Sequence, residues 1–375
     1  MSFKRIESQS QLDALCAELA QRQVIAIDTE FVRQRTYFPK LGLIQINCGQ
    51  QLYLIDPLPM TDWQAFNAIL SNANIIKVIH SCSEDIEVFK SALNSQLAGF
   101  FDTQIAEAFC SGTTALGLAV LVERYCQVKL DKGHARTDWL QRPLAEAQLS
   151  YAADDVRWLL DVYQQQQQSL SDKSELVIND VDAIINKKYE PLNAELAWRD
   201  IKSNWQLTSR QLAVLKELVE WRLNQALTRD LAVNFVVNER SLVLLAQRQP
   251  TSLNSMKNIP GIHPMEIRKH GKAMLECIKR AKSLDISQCP EKVKRLSEQP
   301  RYKTIYAQAK AKLQSIADAN DVSIELLASK RQINQFIAYH WQLLPWSQEK
   351  QPELAVGWRG QLVNQALLDI VLCEQ

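Results

Sequence analysis

Asp28-Thr29-Glu30, Asp85, Tyr151 and Asp155 are the residues of this chain whose types and order could do chemistry. Carboxylates from separate chain segments can jointly hold hard divalent cations, which prefer oxygen ligands. Two such cations about 4 Å apart can activate a water for attack on a phosphodiester. A tyrosine hydroxyl beside them can orient that water. The set reads as a metal-dependent nuclease site.

Each piece needs its context, because an Asp-x-Glu arises about once by chance in a chain of this length. A second one, Asp85-Ile86-Glu87, is present. Asp28 and Glu30 close the run Val24-Ile25-Ala26-Ile27, an apolar, β-branched segment that predicts a buried strand. Strand side chains alternate, so 28 and 30 share a face, about 7 Å apart. Asp85 follows another strand-like run, Ile75 to Ile79, in a segment that predicts the start of a helix. An acid there also answers the helix dipole. Glu87 and Asp154 read as solvated residues. Tyr151 and Asp155 lie four apart in a helical segment, hence on one face, and no other Tyr-x-x-x-Asp occurs.

Together these residues resemble the DEDD exonuclease superfamily in its tyrosine-bearing branch, and within it the ribonuclease D family. The resemblance is carried by Asp28-Thr29-Glu30-Phe31, Leu43-Ile44-Gln45-Ile46 after Pro39, and His80 through Asp85. It continues in Phe101-Asp102-Thr103-Gln104, Asp138-Trp139-Leu140, Arg142-Pro143-Leu144 and Tyr151 through Asp155. It implies that Asp28, Glu30, Asp85 and Asp155 ligate two divalent metal ions, Mg²⁺ or Mn²⁺. Tyr151 would position the water or help deprotonate it. The broader superfamily has an Asn and an aromatic where this chain has His80 and Glu84. A sister branch has a histidine separated by four residues from its last aspartate, a spacing that His80 and Asp85 share. Taking His80 in that role would leave the second motif without its carboxylate, so His80 and His134 are read as ordinary residues.

The elements that must position these groups follow from the rest of the chain. With 375 residues, 46% hydrophobic and 23% charged, two or three soluble domains are expected. Strand-like and helical runs alternate up to about residue 160, and afterwards the chain reads as helices. Gly42–Asn47 and Leu52–Asp56 would form a meander with the first strand. The strands near Ile75 and Phe100 would enter by parallel crossovers. Hence the expected fold is an α/β, ribonuclease H-like domain with a mixed five-stranded sheet, followed by two all-α modules. The expected boundaries are 1–170 for the nuclease, 171–209 for a helical linker, and 210–290 and 291–375 for the modules. The glutamine run 164–168 reads as the tail of a helix.

A faint repeat supports the modules: Asp230 through Val237 aligns with Asp321 through Ala328, and His270-Gly271-Lys272 with Arg359-Gly360-Gln361. The first copy resembles the HRDC domain through Trp221-Arg222, Asp230 through Val237, Ile259-Pro260-Gly261-Ile262 and His270-Gly271-Lys272. Trp198, Trp205 and Trp221 read as core. The net charge of +1 hides an asymmetry. Residues 1–170 carry 14 Lys and Arg against 19 Asp and Glu, whereas 210–282 carry 13 against 6. The acidic part suits a metal site and the basic part a phosphate backbone. Lys257, Arg268, Lys269 and Lys272, flanking the Gly261 turn, are the candidate nucleic-acid contacts.

The expected activity is 3′→5′ exoribonucleolytic trimming of precursor transfer RNA ends, releasing nucleoside 5′-monophosphates. The polarity and the choice of RNA come from the resemblance. The alternatives are a DNA proofreading or repair exonuclease with the same site, and a non-enzymatic RNA-binding scaffold. The Met1–Glu7 terminus has no signal core, and the longest apolar stretch, near Leu118–Val122, is too short to span a bilayer. Eight scattered cysteines suit reduced thiols in a cytoplasm. No phosphate-binding Gly-x-x-x-x-Gly-Lys is present, so no NTP is expected. Neither is a membrane partner, and a monomer is the expected state.

Overall fold

The computed structural model describes residues 2–130 and 137–372; His134 lies outside the described residues. The chain divides into two compact units. The first takes residues up to Arg33, Pro39–Glu190 and Ala317–Leu327; the second takes Gln34–Phe38, Pro191–Ile316 and the residues from Ala328 on.

The first unit is built on β1 (Phe3–Ile6), α1 (Gln9–Leu19), β2 (Val24–Val32), β3 (Lys40–Asn47), β4 (Leu52–Ile55), α2 (Gln64–Ser71), β5 (Ile76–Ile79), α3 (Ser83–Leu93) and β6 (Phe100–Asp102). Then come α4 (Thr103–Ser111), α5 (Leu118–Cys126), α6 (Glu146–Arg157), α7 (Leu159–Leu170) and α8 (Ser174–Tyr189). The sheet order is β1-β4-β3-β2-β5-β6. β2, β3 and β4 form the antiparallel meander, and β5 and β6 join in parallel.

The sheet has six strands where the sequence predicts five. The extra one, Phe3-Lys4-Arg5-Ile6, pairs in parallel with β4 at the sheet's edge. An edge strand buries little, so it can carry two central charges and leave no apolar run to read.

The two faces of β2 are divided by strand alternation. Ile25 and Ile27 enter a core with Leu15 of α1, Phe66 of α2, Ile86 and Phe89 of α3, and Val181 of α8. Ala26, Asp28 and Glu30 face the other way, toward the layer that contains α6 and α7. Leu149, Ala152, Ala153 and Val156 are the buried stripe of α6, at the spacing expected for a helix lying on a sheet.

Two polar anchors lock this second layer. Glu107 on α4 is fully buried and accepts from Arg124, from the Tyr125 hydroxyl at 2.8 Å and from Gln166 at 3.2 Å. Gln166 therefore belongs to the core, although it sits in the run read as a helix tail.

The second unit is helical. Its elements include α9 (Ser209–Thr228), α10 (Val233–Val236), α11 (Glu239–Arg248), α12 (Leu253–Lys257) and α13 (Pro264–Ser283). They are followed along the chain by α14 (Tyr302–Ala319), α15 (Ile324–Leu327), α16 (Lys330–His340) and α17 (Gly357–Leu372). The repeat appears in the backbone. Asp230 and Asp321 both take positive φ, 47° and 51°, and each is followed three residues later by a four-residue helix, α10 or α15. Trp198 is buried against Trp346, and Trp221 packs partly buried on His270. Trp205 departs from the core expectation: it is half-buried beneath the Arg295 guanidinium, 3.7 Å from its ring centre.

Candidate active site

Asp28 lies at the middle of β2 and Glu30 two residues farther along it, and the other acids reach them from opposite layers. From the first layer, Asp85 stands in the opening turn of α3, where helix amides favour a carboxylate. The Thr29 hydroxyl, on that same face of β2, donates to the Asp85 carboxylate. From the second layer comes α6 with Tyr151 and Asp155, one turn apart, and the Tyr151 hydroxyl donates to Asp155. The five expected site residues are thus brought together around one strand.

Residues that carry no chemistry fix these approaches. Asp102 caps α4 by accepting from the Gln104 amide at 2.8 Å. The same carboxylate takes the Ser81 and Cys82 amides, at 3.0 and 2.8 Å, immediately before α3. It therefore sets where Asp85 begins. Asn47 of β3 donates to the carbonyls of Val156 and Arg157, at 3.1 and 2.9 Å, and so holds the end of α6.

Trp139 is buried and tilts against the Tyr151 ring, 6.3 Å between centres. Its backbone lies on Gly42, where a Cβ would come within 2.6 Å of the Trp139 carbonyl oxygen. Arg142 clamps this loop, donating to both oxygens of Asp56, at 2.6 and 2.7 Å, and to the Gly42 carbonyl at 2.7 Å. The motifs around Asp102 and Arg142 thus have a positioning role that residue type alone does not disclose. Asn47 carried no sequence signal of its own.

One neighbour differs from expectation. Glu87 is not solvated; it pairs with Arg33 at 2.8 Å and Lys188 at 3.0 Å. Asp154 pairs with Arg157 at 2.6 Å. His80 bonds through Nδ1 to the Thr103 hydroxyl at 2.9 Å, as an ordinary packed residue would.

The electrostatics of the pocket call for positive charge. Burial, then Asp155, pushes the Asp28 carboxyl well above the usual range. Burial, with Asp28, Asp155 and Asp85 following, pushes Glu30 up to about 10. Asp85 is also raised by burial and by Asp28, while its Thr29 bond acts in the opposite sense. Asp155 is pushed up to about 7, again mainly by burial, with the Tyr151 bond opposing. Burial and the three carboxylates Asp155, Glu30 and Asp28 likewise make the Tyr151 phenol harder to deprotonate.

Gln45, the cross-strand partner of Asp28, is fully buried and its amide has no hydrogen-bond partner. Four mutually repelling acids beside an unsatisfied amide are the donor set of an oxygen-preferring cation. Among the described residues no three His, Cys, Asp or Glu side chains form a closed metal cage, so the fit rests on charge and donor type.

The basic candidates gather elsewhere. Lys257, Arg268, Lys269 and Lys272 line one cavity of about 680 Å³ with Leu253, Ile262, Pro264 and Ile267. Gly261 does not line it; with φ 95° it makes the turn between α12 and α13. The His263 ring caps the Met265 amide at 3.2 Å, so the first amides of α13 are partly taken.

Residues 3–171 match the 3′-5′ exonuclease family, 211–278 the HRDC domain, and 300–367 the ribonuclease D C-terminal HRDC domain. The chain is 43% identical to ribonuclease D of Serratia proteamaculans over 373 residues, covering 99% of each. It is 41% identical to ribonuclease D of Escherichia coli, again covering 99% of each. The crystal structure of Escherichia coli RNase D, described as an exoribonuclease involved in structured RNA processing, superposes with a TM-score of 0.95 over the whole of both chains.

Proposed function

The chain belongs to the ribonuclease D family of metal-dependent 3′→5′ exoribonucleases, and on that footing we propose that it trims precursor transfer RNAs with two divalent cations, Mg²⁺ or Mn²⁺. Asp28, Glu30, Asp85 and Asp155 would hold the cations. When bound, such a pair lowers the pKa of water and offsets charge on the attacking and leaving oxygens. The observation that carries the reading is the approach of Asp85 and Asp155 to Asp28 and Glu30 from opposite layers of the sheet.

The protein's own groups supply orientation. Tyr151, one helical turn from Asp155 and bonded to it, would align the attacking water or help deprotonate it. Its ring rests on Trp139, and its hydroxyl is aimed by Asp155. The product class is a nucleoside 5′-monophosphate. The cavity lined by Lys257, Arg268, Lys269 and Lys272, within the module at 210–290, suits the phosphates of a structured RNA body. The similarity to an enzyme described as processing structured RNA supports that assignment.

Seven described cysteines are free thiols, which suits work in a reducing cytoplasm. No helix of the described residues is long and apolar enough to cross a membrane. Phosphodiester hydrolysis runs downhill unaided, so the enzyme acts without an NTP, and as a monomer. Matched RNA and DNA oligonucleotides labelled at either end, digested with Mg²⁺ or Mn²⁺, test the proposal. Mononucleotides released from RNA 3′ ends are expected; preferential release from DNA would favour a repair exonuclease instead.

A further inference from the structure

Two aromatic side chains of the second unit defy the burial pattern of the rest. Phe38 and Phe235 are 40% and 58% exposed, and among the described residues no other aromatic is so open to solvent. They stand on two segments of that unit that are tied together. The Asp230 carboxylate accepts from the Tyr37 and Phe38 amides, both at 3.0 Å, and the Ala232 amide donates to the Arg35 carbonyl at 2.8 Å. Phe235 lies within the short helix that follows Ala232. Tyr37 packs against the helical core and meets Phe38 edge-on at 5.0 Å, so Phe38 is braced from beneath.

The surroundings are cationic. Arg35 and Arg229 are exposed, and neither side chain takes part in an ion pair among the described residues. Phe38 stands on the segment between β2 and β3. Phe38 lies two residues before Lys40, which pairs with Val32, itself two residues past Glu30. From Glu30 the path is two residues of strand, about 7 Å, and then a short hairpin turn.

We propose that Phe38 and Phe235 form a stacking platform for unpaired bases of the RNA substrate. Any base offers a ring face to an aromatic side chain, so stacking holds a strand in register without reading its sequence. Arg35 and Arg229 would meet the intervening phosphates. Asp230 is a positioning residue that fixes the hairpin tip. A trimming enzyme must accept each new 3′ end in turn, and a sequence-tolerant grip meets that need. The proposal rests on the exoribonuclease assignment.

The test uses the full-length enzyme and single-stranded oligoribonucleotides. Phe38→Ala and Phe235→Ala should each raise KM about tenfold, the size of one lost base stack. Both side chains are exposed, so Tm should hold, and Phe38→Trp should restore KM. An oligonucleotide carrying abasic sites in its unpaired stretch should cost the wild type about tenfold and Phe38→Ala little more. Wild-type KM in both alanine variants, failure of Phe38→Trp to rescue, or equal abasic losses in wild type and variant would each overturn the platform. In all of these cases wild-type degradation of RNA would leave the exoribonuclease assignment standing; its absence would sink both.

Discussion

The Thr29 hydroxyl donates to the Asp85 carboxylate, joining the strand that bears Asp28 and Glu30 to the helix that faces it. The threonine between these two acids is thus a strut, and its bond opposes the burial that raises the Asp85 carboxyl. Thr29→Val keeps the shape and removes the donor. We expect kcat to fall roughly tenfold and the Mg²⁺ needed for half-maximal rate to rise, with Tm nearly unchanged. Metal titrations of both proteins decide it, and an unaltered metal requirement would show Thr29 to be packing only.

Asp28→Asn or Asp155→Asn should cut turnover by at least about a hundredfold, because each removes a charge on which cation binding depends. Both should also raise Tm in chelator, since each relieves repulsion among buried carboxylates. Turnover and melting, measured together on one preparation, separate this from simple misfolding.

Tyr151→Phe should lower kcat by about 10²–10⁴ while its ring still packs on Trp139. Gly42→Ala should lower kcat too, by pushing the Trp139 backbone away and with it the support of Tyr151. The two changes together should cost less than the product of their separate effects, because they act on one group. A fully multiplicative double variant would mean that Gly42 does not act through Tyr151.

The carboxylates also set a pH dependence of stability. Each is raised on folding, so the folded protein holds more protons than the unfolded one, and stability is lost as pH climbs. For Asp155 the loss runs from the ordinary carboxylate range to about 7, and for Glu30 it continues to about 10. In chelator, Tm should therefore fall between about pH 5 and about pH 9, and the gain from added Mg²⁺ should grow over the same interval. Calorimetry across that range checks both; a flat metal increment would argue against charge-driven binding.

For the helical module, Lys257→Ala and Lys272→Ala should each weaken structured RNA and flatten the salt dependence of affinity by about one unit. Binding isotherms at several salt concentrations give the slope. Equal slopes in wild type and variants would place the RNA body elsewhere.

The convergence of the five candidate residues and the order of the central strands were legible because each leaves a periodic or apolar signature. Asp28 and Glu30 announce themselves by ending a run of Ile and Val, and Tyr151 and Asp155 by helical spacing. What could not be read was partnership across the fold. Nothing local distinguishes Asp102, which orders the start of α3, from Asp85, which we propose as a metal ligand. Glu87 looked solvated because its partners, Arg33 and Lys188, become partners only once the chain is folded. The sixth strand escaped because an edge strand needs no hydrophobic face.

The division of the acids between the two sides of β2 bears on when this enzyme becomes dangerous to RNA. Asp85 arrives only once the layer containing α1, α2, α3 and α8 has condensed, and Asp155 only once α6 is seated on the opposite side. A nascent or half-unfolded chain can present three of the four acids at most. On the proposed assignment of these acids to the metals, the arrangement would work as a two-key lock, leaving a partly folded nuclease in the crowded vicinity of new transcripts without a complete site.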